Sequence, residues 1–112
     1  MAKCPATQLS LRLLRRNGWQ CQVVEHWNPH VARRHDAFGF ADILAYEPTT
    51  QQIALVQTTS YSNFSARYRK VCENEHARGW LESGGIILLH GWKKPRHRWE
   101  CREESLTVEE IG

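Results

Sequence analysis

The spacing of apolar residues along the chain changes from element to element, and it gives the first reading of the fold. In residues 7–17, TQLSLRLLRRN, Leu9, Leu11, Leu13 and Leu14 are apolar, while Arg12, Arg15 and Arg16 are charged. This pattern predicts an amphipathic helix, capped by Thr7 or Ser10 and stopped at Asn17-Gly18. From Trp19 to Trp27 the period shortens: Cys21 and Val23 alternate with Gln20 and Gln22. That predicts a strand, ended by Asn28-Pro29. Residues 28–38 read as a loop. Phe40–Tyr46 and Ile53–Thr59 read as strands, and the polar turn Glu47–Gln52 makes them an antiparallel hairpin. Phe64, Tyr68, Val71 and Cys72 share a helical face within Ser62–Glu82. Ser62 is its N-cap, Asn74 is a point of interruption, and Gly84-Gly85 stops it. Ile86–His90 predicts a short buried strand, and Gly91–Pro95 a turn. Arg98–Glu104 predicts an edge strand, with Trp99 and Cys101 alternating against Glu100 and Arg102.

The order is α-β-β-β-α-β-β, which predicts an α/β fold with a small mixed β-sheet flanked by helices. The helix between strand 53–59 and strand 86–90 should make a right-handed crossover, leaving those two strands parallel. Residues 1–105 form one domain, and 106–112 an acidic, loosely held C-terminal tail.

The sequence has 112 residues, enough for one modest core. It is 41% hydrophobic and 24% charged, which argues against disorder. No apolar run could span a bilayer, and the N-terminus lacks the apolar stretch of a signal peptide. A cytoplasmic chain is therefore expected, in the host cytoplasm if it is phage-encoded. The four cysteines are scattered without a CxxC pair and read as buried thiols. His26, His30 and His35 invite a zinc site, but Asn28-Pro29 denies them the rigid element such a site needs.

The net charge of +3 permits nucleic acid without requiring it. Its distribution is more informative. Lys93, Lys94, Arg96 and Arg98 cluster with Trp92 and Trp99. Arg33, Arg34, Ser62, Ser65, Arg67 and Arg69 flank the stretch from Asp36 to Thr59. These groups suit backbone contacts rather than base reading. His90 and His97 are expected near a surface loop or nucleic acid.

Within DAFGFADILAYEPTTQQIALVQTT, Asp42 opens one strand of the hairpin. Gln57 and Thr59 lie two apart on the next strand and share a face. Pairing brings Asp42 toward them. Asp42 and Gln57 offer hard oxygen ligands, as does the backbone carbonyl of Thr58, and Glu25 and Asp36 are the acids expected to supplement the site. Such donors suit Mg²⁺. A plainer reading stays open: Asp42 caps a strand, and Thr58, Thr59 and Ser60 only form a turn.

The Asp42…Gln57-Thr58-Thr59 pattern, within FGFADILA and IALVQTTS, resembles the PD-(D/E)xK nuclease superfamily. The likeness is greatest to its small archaeal-type and phage-encoded Holliday junction resolvases, and covers roughly residues 7–92. It implies a restriction-endonuclease-like core and Mg²⁺- or Mn²⁺-dependent hydrolysis of DNA, duplex or branched, by a homodimer. Asp42 and Gln57 then take the metal-site positions. The lysine position is Thr59, so a basic residue of the following helix would replace it, with Lys70 chosen ahead of Arg67 and Arg69. The departures at Gln57 and Thr59 equally suit an alternative: a nuclease fold without catalysis that binds nucleic acid or a protein partner.

Overall fold

The computed structural model describes residues 5–111, with side chains described for all of these except 27, 28, 33 and 34. The first helix, α1 (Ala6–Arg16), buries Ala6, Ser10, Leu11 and Leu14 and turns its arginines outward. It ends where the sequence predicts. Gly18 takes φ 95°, Gly18 N–H bonds the carbonyl of Arg15, and Trp19 N–H bonds that of Leu14. This is the Schellman pattern, which needs a residue comfortable in the left-handed region. The start differs. Pro5 is the N-cap, and neither Thr7 nor Ser10 caps the helix: Thr7 bonds across to Thr58, and Ser10 is buried mid-helix.

The strands are β1 (Gln20–Val23), β2 (His26–Asn28), β3 (Arg33–His35), β4 (Ile43–Glu47), β5 (Gln52–Ser60), β6 (Ile86–Lys93) and β7 (Glu100–Leu106). Five of them form one sheet in the order β1-β4-β5-β6-β7. β4 and β5 pair antiparallel, as the hairpin predicts, and β5 and β6 run parallel. Helices α2 (Phe64–Cys72) and α3 (Ala77–Glu82) make that crossover, and their break includes Asn74. The main sheet and its helices thus follow α-β-β-β-α-β-β, with the second helix in two pieces.

Each face of the sheet has its own core. Leu11 and Leu14 of α1 pack on Ile43, Ala45, Ala54, Val56 and Leu88. Phe64, Val71 and Ala77 pack with Phe40, Leu55, Ile87, Leu89 and Leu106 on the other face. Strand β5 is therefore covered on both sides, and Ala54 through Thr59 are all buried.

Five further expectations are corrected. The turn expected at Gly91–Pro95 starts later, because β6 runs through Lys93 and stays paired with β7 as far as Lys93 opposite Glu100. The strand expected over Trp19–Trp27 divides, because Val24 and Glu25 both donate to the carbonyl of Asp42, at 2.9 and 3.3 Å. Two successive amides on one carbonyl form a β-bulge, which bends the strand and re-aims its side chains. The expected loop 28–38 contains β3, which pairs with β2 in a separate ribbon whose His26 and His35 rings stack at 5.4 Å. Ser62 does not cap α2: it sits in a 3-10 turn (Tyr61–Asn63), and Asn63 takes the cap position without a side-chain bond. The C-terminal tail is not loose. A 3-10 turn at Val108–Glu110 returns Ile111 to the core at 5% exposure, while Glu110 bonds Thr107 and the Tyr68 hydroxyl.

Candidate active site

The chain turns tightly before β4: Ala37 and Ala41 are bridge partners, and Asp42 N–H donates to the carbonyl of Val56 at 2.8 Å. Ile43 pairs with Val56, so Asp42 faces Gln57 across the strands. Beyond that point β4 no longer runs beside β5, and the amide of Thr58 has no strand partner there. The carboxylate of Asp42 takes its place. Its Oδ2 accepts from Thr58 N–H at 2.8 Å, Thr58 Oγ1 at 3.1 Å and Gln57 Nε2 at 2.8 Å. The Gln57 amide also donates to the Thr58 carbonyl at 2.9 Å, and Thr58 Oγ1 reaches Thr7 Oγ1 at 3.1 Å. Asp42, Gln57 and Thr58 are all buried.

The bulge that follows β1, at Val24 and Glu25, brings Glu25 into this arrangement. Asp42 is pushed up to about 8, first by burial and then by a carboxyl–carboxyl hydrogen bond with Glu25, against the opposing Thr58 donors. Asp36 is also raised, by burial and then by the charge of Glu25; its own backbone, Gly39 and Arg67 pull it down. Glu25 thus acts on both Asp42 and Asp36, and Arg67 of α2 lowers Asp36 alone. Lys70, on the same helix, is exposed.

Among the described residues, no three His, Cys, Asp or Glu side chains are grouped so as to hold a metal ion, so Asp42, Glu25 and Asp36 do not converge as the one ligand set the sequence suggests. The donor set nevertheless suits a cation that takes one or two carboxylates and keeps several waters, as Mg²⁺ does. Its oxygens are hard, and its carboxyl groups repel one another when ionised. Thr59 is buried on β5 opposite Gly91 and presents no charge.

The expected phosphate-binding groups separate into regions. The side chains of Arg33 and Arg34 lie outside the described residues. Ser62 is exposed and bonds Ser60 at 3.1 Å. Lys93 Nζ lies 4.3 Å from the Tyr61 ring centroid, and Lys94 Nζ lies 5.5 Å from that of Trp99. Arg96 and Arg98 line a shallow cleft with Pro95 and Glu100. These groups follow the C-terminal ends of β5 and β6, the end of the sheet that also carries Asp42. Open α/β sheets commonly bind ligands there. Arg69 and Ser65 instead line a cleft of about 550 Å³ with Tyr68 and Arg102.

Trp92 and His90 do not stand at the surface. Trp92 is 6% exposed and His90 is fully buried. His90 Nδ1 bonds Ser10 Oγ at 2.8 Å, His90 Nε2 bonds Glu103 Oε2 at 2.7 Å, and Trp92 Nε1 donates to Ser10 Oγ at 2.8 Å. The His90 hydrogen bond holds the Glu103 carboxyl below its ordinary range. The order acid–His–Ser suggests nucleophilic catalysis, but Ser10 is sealed at 0% exposure and engaged by Trp92. The network instead ties α1 to β6 and β7. Its only sequence signal is a serine inside an otherwise apolar helical stripe.

Cys21, Cys72 and Cys101 are half-buried free thiols, less enclosed than expected; Cys4 lies outside the described residues. No described helix is long and apolar enough to cross a membrane. The chain matches no protein-family model, no curated protein and no solved structure.

Proposed function

We propose that the chain is a metal-dependent DNA endonuclease of the PD-(D/E)xK type, acting on duplex or branched DNA such as a four-way junction, as a homodimer. The observation that carries this reading is the carboxyl cluster at the strand ends: Asp42 held across from Gln57 and Thr58, with Glu25 bonded to it and Asp36 beside Glu25. A bare strand cap does not call for two further acids. Asp42 and Glu25 would hold Mg²⁺ or Mn²⁺ as its carboxylates, with the Thr58 carbonyl as a neutral oxygen donor; Gln57 would join them only by turning its amide oxygen inward, and Asp36 stands behind Glu25 rather than in the ligand set. When bound, the ion polarises a phosphoryl oxygen and activates water.

The protein's own part is positioning. The Thr58 and Gln57 donors fix Asp42, and the bulge aims Glu25. Thr59 cannot supply positive charge, so α2 supplies it. Arg67 already acts on Asp36, and Lys70, three residues on, lies on a neighbouring part of the helix surface. Lys93, Lys94 and Arg96 would follow the phosphate backbone, and salt would weaken that contact.

One observation favours a second reading, a nuclease fold that binds without cutting. The Gln57 amide turns its NH₂ toward Asp42, as a locked structural contact would. Labelled single-stranded, duplex and four-way-junction DNA, incubated with Mg²⁺ or Mn²⁺ and resolved on native and denaturing gels, separates the two. Cut strands support the nuclease. Salt-sensitive shifts without cutting support the binding module, and neither result sinks both.

A further inference from the structure

The turn leading into Asp42 also presents an aromatic ring to solvent. Phe38 adopts φ 57°, in a region that side chains with a Cβ disfavour, and Gly39 follows at φ 83°. The Asn74 side chain holds this conformation, with Nδ2 donating to the Phe38 carbonyl at 3.0 Å. The result is a phenyl ring 51% exposed, although Phe40, two residues on, is buried at 3%. The Phe38 ring meets His76 at 5.1 Å and Trp80 at 6.4 Å between centroids, tilted 45° to each. Trp80 is a fixed wall, its Nε1 donating to the Ile86 carbonyl at 2.8 Å. A cleft of about 330 Å³ lies between them, with Glu75, Gly79 and Ser83 completing it. A Cβ placed on Gly79 would meet nothing within 4 Å, so that side of the cleft is open.

We propose that this cleft receives an unpaired nucleobase of a DNA strand whose backbone passes the Asp42 site. The inference rests on the nucleic-acid reading above and adds a strand feature to it. Tilted rings leave their faces available, and every base has a π-face to stack on them. His76, Ser83 and Glu75 add polar groups for a base edge. Proximity supports the assignment. Because Ala37 and Ala41 are bridge partners, the Phe38 and Asp42 Cα atoms lie within about 13 Å. That is the length of about four stacked nucleotides.

The test is fluorescence anisotropy in EDTA, with a labelled oligothymidine strand and a labelled blunt duplex as probes. Phe38→Gly removes the ring and suits the positive φ. Gly79→Leu fills the cleft and keeps every ring. Each should weaken single-strand binding roughly tenfold and change duplex binding by less than about twofold, while Phe38→Trp keeps wild-type affinity. Melting curves confirm that the variants are folded. If both variants bind the single strand like wild type, or lose strand and duplex alike, the cleft assignment is overturned while the nucleic-acid reading stands. If the wild-type chain binds neither probe, both fall.

Discussion

Replacing Asp42 with asparagine should make the protein more stable at neutral and alkaline pH. The side chain is 4% exposed and hydrogen-bonded to the Glu25 carboxyl. Its carboxyl titrates at about 8 in the folded chain against an ordinary 3.8. Between those values the folded chain keeps a proton that the unfolded chain has released. Stability therefore falls as pH rises through that window. A tenfold change in proton affinity is worth about 1.4 kcal/mol, so full ionisation at this site would cost on the order of 5 kcal/mol. Coupling to Glu25 and the three donors on Oδ2 reduce what a variant recovers. Asparagine keeps an acceptor for Gln57 and Thr58 and offers an amide to Glu25. Its expected gain at pH 8 is about 1–3 kcal/mol, or roughly 4–12 °C in melting temperature. The assay is thermal unfolding by circular dichroism from pH 5 to pH 9. Wild type should lose stability across that range, and Asp42→Asn should lose less. If Asp42→Asn melts below wild type at pH 8, Asp42 is a satisfied strand cap rather than a strained acid.

Other consequences are simpler to read. Ser10→Ala leaves Trp92 Nε1 and His90 Nδ1 without their shared partner in a sealed site. It should cost about 2–4 kcal/mol in urea unfolding, and Ser10→Gly should not restore the loss. Ile111→Ala should cost about 2–3 kcal/mol, since Ile111 is 5% exposed in the core beneath α3; a change under about 0.5 kcal/mol would return the C-terminus to a loose tail. Replacing Lys93 and Lys94 with alanine should weaken duplex binding and flatten the salt dependence by about two charges, measured as log K against log salt. An unchanged slope would remove that strip from the DNA surface.

Much of this architecture is legible in the residues, and the illegible parts share a cause. The β4–β5 hairpin and the parallel β6 follow from apolar runs separated by a polar turn and by a helical repeat. The end of α1 follows from Asn17-Gly18, because backbone conformation there depends on one residue type. Asp42 and Gln57 are identifiable as neighbours because strand pairing fixes which side chains meet. Long-range polar contacts leave no such trace. Ser10, His90 and Glu103 are far apart in sequence, and an apolar run ending in histidine looks the same whether that histidine is buried or exposed. The bulge that aims Glu25 depends on two amides sharing one carbonyl, which no period in QCQVVEHW records. Which basic side chain reaches an acid is likewise set by helix rotation: Arg67 lowers Asp36, whereas spacing alone could not separate it from Lys70. Ile111 is a single apolar residue after a run of acids, so its docking has no pattern to show.

The central claim is that the acid cluster around Asp42 performs metal-dependent hydrolysis. Its most direct test is the single-turnover rate of cutting a labelled four-way junction in Mn²⁺, for wild type beside Asp42→Asn, with EDTA controls and melting curves for both. The account predicts cutting by wild type that EDTA abolishes, and a loss of at least about 100-fold in an equally or more stable Asp42→Asn protein, the scale expected when transition-state charge stabilisation is removed. Cutting at the wild-type rate by Asp42→Asn, or no cutting by wild type with either metal, would contradict it.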